Sequence, residues 1–196
     1  MTVRVASLTD KHIAAALPSL ARLRIAVFRD WPYLYDGSLA YEEKYLGKLA
    51  DAQGAIVVAA YDGEDIVGGA TAAPMAAVEA QFAEPFQARG MDIGRIFYCG
   101  ESVLLPAYRG RGLGHAFFDR REAQALRLGR FTHTAFCAVV RPEDHRLRPK
   151  DYAPLDAFWQ RRGYAKADGL LCRFAWKDID QPAETEKPMQ FWMRTL

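Results

Sequence analysis

Hydrophobic positions along this chain follow two rhythms, and their alternation predicts a mixed α/β fold. Val3 to Leu8 alternates weakly between apolar and polar and reads as a short strand. Thr9-Asp10 offers a helix N-cap, after which Ile13, Ala16, Leu17, Leu20, Leu23 and Val27 fall at helical spacing to about Phe28. Pro18 lies inside this pattern and predicts a kink, or a helix start, near it. The aromatic stretch from Trp31 to Gly37 reads as a loop, and Ser38 as the cap of a second helix over roughly Ala40 to Asp51. Ala55 to Tyr61 and Ile66 to Ala72 are apolar runs of strand length. The turn Asp62-Gly63-Glu64-Asp65 between them predicts an antiparallel hairpin, ended by Pro74.

The second half continues the alternation. Ala76 to Arg89 looks helical with an interruption at Glu84-Pro85, and Ile93 to Leu105 reads as a long strand stopped by Pro106. Gly94 and Gly100 inside that strand predict a bulge or a close backbone approach. From Gly112 to Leu128, Leu113, Ala116, Phe117, Ala123 and Leu126 occupy one helix face and Asp119 to Glu122 another, with Gly129 as C-cap. Phe131 to Val140 is a strand, Arg141 to Asp151 a polar loop, and Pro154 to Arg162 a short helix ended by Gly163. Leu170 to Trp176 and Met189 to Arg194 are strands on either side of a charged turn from Lys177 to Lys187. The order β, α, α, β, β, α, β, α, β, α, β, β implies a mixed sheet with helices on both faces, not a doubly wound parallel sheet. No repeat or linker divides the chain, so a single domain over residues 1–196 is expected.

Composition narrows the function classes. A formal charge of +2, without a Lys/Arg block, does not suit a nucleic-acid partner. No apolar run approaches the roughly 20 residues needed to cross a bilayer, and Met1 to Val5 carries no signal-peptide core. Cys99, Cys137 and Cys172 are far apart and sit in apolar stretches, which predicts buried thiols in a reducing, cytoplasmic compartment. His12, His115, His133 and His145 are scattered without ligand spacing, so no metal site is expected.

The chemistry concentrates at Ser102-Val103-Leu104-Leu105-Pro106-Ala107-Tyr108-Arg109-Gly110-Arg111-Gly112-Leu113-Gly114. A strand ends, a glycine-rich turn follows, and a helix opens onto that turn. Unpaired N–H groups and the helix dipole converge there and make an anion site. The glycines let a phosphate approach the backbone, and Arg109 and Arg111 add forked donors. A P-loop would need Lys-Ser/Thr after the last glycine, and the dinucleotide fingerprint needs Gly-x-Gly-x-x-Gly at a first strand; both fit poorly.

Arg109-x-x-Gly112-x-Gly114 resembles the Arg/Gln-x-x-Gly-x-Gly/Ala signature of the GNAT superfamily of N-acetyltransferases. The run Leu104 to Gly110 before it looks like that family's strand-to-loop approach, and Phe158 to Tyr164 resembles its C-terminal helix ending. The resemblance covers nearly the whole chain. It implies a mostly antiparallel twisted sheet with a splayed parallel pair and acetyl-CoA, or another short acyl-CoA, as co-substrate. The amides of Gly110, Arg111, Gly112, Leu113 and Gly114, with His115, would then hold the pyrophosphate, assisted by Arg109. The strand around Ser102, Val103 and Leu104 would pair with the pantetheine arm and offer an N–H near Val103 or Leu104 to the thioester oxygen.

Acyl transfer to an amine needs a base and benefits from an acid. Glu101 is the candidate base, because a carboxylate in the apolar strand Ile96 to Val103 is expensive unless paired or functional; a structural pair with an arginine is the competing reading. Family members often carry a Tyr where this chain has Trp159, which puts the usual acid in doubt; Tyr152, at the start of the same helix, is a substitute candidate against a rim or packing role, and Tyr98 is a further option. Cys99 has no His or Asp neighbour that would make it a nucleophile. Trp31, Tyr33, Tyr35 and Tyr41 form either an aromatic wall for the acceptor or loop packing, while Asp36 and Glu42 either attract a cationic amine or, the favoured reading, are solvated carboxylates. Arg141 opens a charged loop that either lines the acceptor pocket or lies exposed. The apolar strand Met189, Phe191, Trp192, Met193 suits a homodimer interface. The expectation is acetyl transfer to a primary amine of a small molecule or peptide by direct attack in a ternary complex. Two alternatives are a non-catalytic acyl-CoA sensor of the same fold and an enzyme acting on another phosphorylated ligand.

Overall fold

The computed structural model describes residues 3–196. Its centre is a seven-stranded sheet in the order β1-β2-β3-β4-β5-β7-β6. The strands are β1 (Arg4–Leu8), β2 (Ile56–Asp62), β3 (Asp65–Pro74), β4 (Ile96–Leu104), β5 (His133–Val139), β6 (Ala165–Lys177) and β7 (Glu184–Thr195). Neighbours are antiparallel except β4 and β5, which run parallel. The helices are α1 (Ile13–Phe28), α2 (Leu39–Asp51), α3 (Ala80–Ala88), α4 (Leu113–Leu128) and α5 (Asp156–Arg161). The element order read from the sequence holds throughout, and the sheet carries helices on both faces.

The apolar periodicities explain which face each helix covers. Ile13, Ala16, Leu20 and Leu23 of α1 and Leu46 of α2 pack on Val57, Ala73 and Val103, and Phe82 and Phe86 of α3 pack beside them on Tyr98, Cys137 and Phe191. On the opposite face Phe117 and Phe118 of α4 meet Val58, Phe97, Phe136 and Trp192. Each such fully buried large side chain contributes roughly 1.5–3 kcal/mol. Ser38 caps α2 by accepting from the Tyr41 N–H at 3.4 Å. Thr9, by contrast, makes no side-chain cap, and a short 3-10 turn, Asp10–His12, precedes α1. Pro18 and Pro85 both lie inside helices that continue through them.

Several boundaries differ from expectation. Gly94 belongs to a 3-10 turn, Ile93–Arg95, set up by the Asp92 side chain, so β4 begins at Ile96. The last two strands are longer than their apolar stretches, because β6 and β7 form a hairpin whose outer residues are paired though polar. The apolar side chains of β7 offer no free dimer surface. The strand lies between β5 and β6, with Phe191 buried against one face and Trp192 against the other. Cys99, Cys137 and Cys172 are buried free thiols.

Candidate active site

The site arises where the parallel pair comes apart. β4 and β5 are in register only from Ile96↔His133 to Tyr98↔Ala135. Beyond that, β4 follows β3 to Leu104 while β5 follows β7 to Val139. Gly100 marks the bend: the β3–β4 register shifts between Ala70 and Ala72, and a Cβ at Gly100 would lie 2.5 Å from Thr71 Oγ1. A bulge at this close approach turns β4 away from β5. The gap opens into a cleft of 1490 Å³ that runs from the glycine loop to the aromatic loop after α1.

Along the open edge of β4, backbone direction alternates residue by residue. The Glu101 N–H donates to Thr71 Oγ1 at 3.4 Å and the Leu105 N–H to Val67 O at 3.1 Å, both on the β3 side. The N–H groups of Ser102 and Leu104 therefore face the opening. Val103 departs from expectation: its amide lies on the β3 side and its side chain is buried against α1, so of the two candidate donors to a thioester oxygen only Leu104 remains.

At one mouth of the cleft the chain makes a 3-10 turn, Pro106–Tyr108, then passes through Gly110 at φ +75° and Gly112 at φ +77° into α4. Both are left-handed conformations that only glycine adopts without strain. The first helical bond runs from the Ala116 N–H to Gly112 O, so the amides of Leu113, Gly114 and His115 have no intrahelical acceptor. Arg109, Gly110, Gly112, Leu113, Gly114 and His115 line the cleft. Arg111 is turned back, donating to Ala107 O at 3.0 Å with its guanidinium 5.4 Å from the Tyr108 ring centre. His115 is braced by the Phe158 ring at 4.9 Å. The exposed amides at a helix N-terminus fit a diphosphate. Gly110→Ala and Gly112→Ala place no atom in contact with a neighbour. Their expected effect is conformational, about 1–2 kcal/mol of strain each. Relief of that strain moves the amides, so the Kd for coenzyme A, read by calorimetry, should rise about tenfold per substitution.

Deeper in the cleft lies a buried charge cluster. Arg24 sits on the apolar stripe of α1, four residues after Leu20. Its Nε donates to Glu42 of α2 and its Nη1 pairs with Glu101 Oε2 at 2.8 Å. The guanidinium lies between the rings of Phe28 and Tyr45, 5.1 and 4.6 Å from their centres. Glu42 is fully buried and Glu101 is 7% exposed. Burial works against the Arg24 charge, but Glu101 and Glu42 outweigh it and hold its pKa above the ordinary value. One cation faces two carboxylates, and Oε1 of each carboxylate has no hydrogen-bond partner. Glu42 is thus not the solvated residue its sequence context suggests. Glu101 is paired with an arginine and, though buried, is one of the residues that line the cleft.

The other mouth is aromatic. Tyr33 packs on Phe28 at 4.5 Å and Trp176 at 6.0 Å; burial raises its pKa. Tyr35 is bridged to Asp178 through the backbone, and burial, with the Glu42 carboxylate close by, raises its pKa too. Arg141 lines this mouth, but its donors are already engaged. It makes two bonds to Asp178, at 2.6 and 2.9 Å, and donates to Pro32 O at 2.8 Å and Tyr33 O at 2.6 Å. It pins the aromatic loop to the β6–β7 turn and has little left for an acceptor, which corrects the expected substrate contact. Lys187 adds a second cation 3.2 Å from Asp178. Burial alone would raise the Asp178 pKa, but Arg141 and Lys187 outweigh it and hold it below the ordinary carboxylate value. Its contribution to stability is complete above the unfolded value of about 3.9 and is lost as pH falls through the lower folded value. Asp178→Asn should therefore lower thermal stability at pH 7 and flatten the fall in stability below about pH 4, measured by melting across a pH series.

Tyr152 lies in the loop before α5 rather than on the helix, with its ring 5.9 Å from Trp31. Burial, with a smaller effect of Asp156, raises its pKa, so it stays protonated at neutral pH. Trp159 packs on Phe136 at 5.0 Å and Trp192 at 5.1 Å and presents part of its surface to the cleft.

The sequence model of the Acetyltransferase (GNAT) family matches residues 20–149, more than half of the chain. The chain belongs to the GNAT acetyltransferase family. Solved structures agree in fold over essentially whole chains. One is the ribosomal-protein-alanine N-acetyltransferase from Brucella melitensis, at 14% identity and TM-score 0.62 over 100% of both chains. Another is the PaiA N-acetyltransferase from Thermoplasma acidophilum in complex with coenzyme A, at 10% identity and TM-score 0.56 over 100% of both chains. A GNAT-family acetyltransferase from Streptococcus pneumoniae matches at 11% identity and TM-score 0.58, again over 100% of both. No curated protein sequence matches the chain.

Within this GNAT chain the structure brings Glu101, Ser102, Leu104, the glycine loop, Tyr33, Tyr35, Arg141 and Tyr152 to one cleft. Arg24 and the burial of Glu42 were missed. Their signal was a charged residue on an otherwise apolar helical stripe, Arg24 beside Leu20 and Leu23, and Glu42 four residues before Leu46. Among the described residues, no cluster of three or more His, Cys, Asp or Glu could hold a metal, and no helix is long and apolar enough to cross a membrane.

Proposed function

We propose that this protein transfers an acetyl group from acetyl-CoA to a primary amine by direct attack in a ternary complex. The observation that carries the reading is the parted β4/β5 edge, with free helix-terminal amides at one mouth and a buried, half-paired carboxylate at Glu101 inside. Acetyl-CoA would supply a thioester carbonyl as the electrophile. The loop from Arg109 to His115 holds the diphosphate, and the open N–H groups of Ser102 and Leu104 receive the extended arm as an added strand. The Leu104 N–H is the donor on hand for negative charge developing on the thioester oxygen.

Glu101 Oε1 receives the incoming ammonium and takes its proton, directly or through one water, freeing the nitrogen lone pair for attack. Arg24 and Glu42 keep the Glu101 carboxylate in place while that happens. Tyr152, protonated and on the cleft wall, is the available donor to the departing thiolate as the C–S bond breaks, and the second proton lost from the nitrogen restores it through solvent. We further propose that residues 1–196 act as one domain in the cytoplasm, where buried unpaired cysteines suit the reducing conditions.

Two measurements test the reading. Calorimetry with acetyl-CoA should show saturable binding, and thiol release from acetyl-CoA should accelerate when a primary amine is added. No binding at millimolar acetyl-CoA would exclude the reading. Binding without turnover across an amine panel would instead identify an acyl-CoA sensor.

A further inference from the structure

A second cavity of 250 Å³ lies between α2, β3, α3 and β4. It shares Tyr45, Phe82, Tyr98, Gly100 and Glu101 with the main cleft as lining residues. Three aromatic side chains and Glu101 thus lie at the boundary of the two spaces, the threshold a substrate would have to bridge. The remaining wall is mostly apolar, with Leu46, Leu49, Ala73 and Val78, and carries Lys48, Thr71 and Glu79 as its polar members.

We infer that this cavity receives the side chain of the acceptor, and that the acceptor is a primary amine bearing one uncharged apolar group of up to about aromatic-ring size. The inference rests on the transferase reading and names its substrate class. Charge complementarity at the threshold supports it. Glu101 is 7% exposed and its Oε1 lacks a partner, and the buried cluster holds two carboxylates against one guanidinium. An ammonium there gains a charge-assisted hydrogen bond and aromatic faces.

The interior supplies the second argument. Thr71 Oγ1 is already taken by the Glu101 N–H. Lys48 and Glu79 are paired with each other at 2.6 Å, and Lys48 is largely solvent-exposed. A second ammonium inside would have to compete with Lys48 and Gln81 for the Glu79 carboxylate, and a hydroxyl with the Glu101 N–H for Thr71 Oγ1, so either would give up hydration for a shared partner. An apolar group loses nothing. The volume sets the size, since a cavity of about 150 Å³ is enough to hold benzene.

The test compares kcat/KM for phenethylamine, ethylamine and 1,4-diaminobutane, read as thiol release from acetyl-CoA. Phenethylamine should exceed ethylamine by at least about tenfold, and diaminobutane should not exceed ethylamine. A diaminobutane preference, or equal values for phenethylamine and ethylamine, overturns the inference. Val78→Phe narrows the cavity from a half-buried position. It should lower the phenethylamine-to-ethylamine ratio about tenfold, and an unaltered ratio counts against the inference. If acetyl-CoA binds but no amine is acetylated, the transferase reading fails separately. Calorimetry of phenethylamine with the coenzyme-loaded protein then decides about the cavity. Binding that Val78→Phe weakens supports it, and absent or unaltered binding overturns it.

Discussion

Glu101→Gln should lower kcat/KM for amine acetylation by about 10²- to 10⁴-fold, the usual contribution of a positioned base, while leaving the Kd for acetyl-CoA within about threefold. The amide keeps the shape of the carboxylate and can still accept from Arg24, whose remaining partner Glu42 balances its charge. Folding should therefore survive. What disappears is the carboxylate whose Oε1 has no partner, at a residue that lines both cavities. Steady-state kinetics beside coenzyme calorimetry separates the two effects. A loss below about fivefold would move the proton-accepting role away from this residue.

Arg24→Met should be strongly destabilising. It leaves Glu42 and Glu101 buried without their shared cation, and removing one partner from a buried ion pair costs about 3–5 kcal/mol. For a chain of this size that corresponds to a melting point lower by roughly 6–20 °C. Methionine fills much of the space between Phe28 and Tyr45, so the loss is electrostatic rather than a cavity effect. Adding Glu42→Gln and Glu101→Gln to Arg24→Met should recover more than half of the loss, because neutral amides tolerate burial better than carboxylates. Calorimetric melting of the single and triple variants is the measurement. If the triple variant is no more stable than the single, the cluster is held by packing and not by charge.

How much of this was legible beforehand depended on whether the signal was local. The element order, the Asp62–Asp65 hairpin, the Ser38 cap and the glycine turn into α4 all came from spacing and turn chemistry within a few residues. The strand ends did not. β6 and β7 extend past their apolar stretches because each supplies the other's backbone partners, which side-chain polarity does not report. Met189, Phe191 and Trp192 looked like an unpartnered face because β5, which covers one edge of β7, is remote from it in sequence, while its hairpin partner β6 covers the other.

The cleft shows the same division. By itself the chain determined a glycine turn with free amides, since Gly110 and Gly112 adopt their left-handed conformations and α4 leaves its first amides without acceptors through local geometry alone. Which other residues share that cleft was decided in three dimensions. Arg24, Glu42 and Glu101 come from two helices and a strand and meet only when α1 and α2 pack on the sheet. Arg141 meets Asp178 and the carbonyls of Pro32 and Tyr33 only when two distant loops close over the same end. The physical reason is that backbone conformation is set by near neighbours, whereas the pairing of buried charges is set by which surfaces exclude water together.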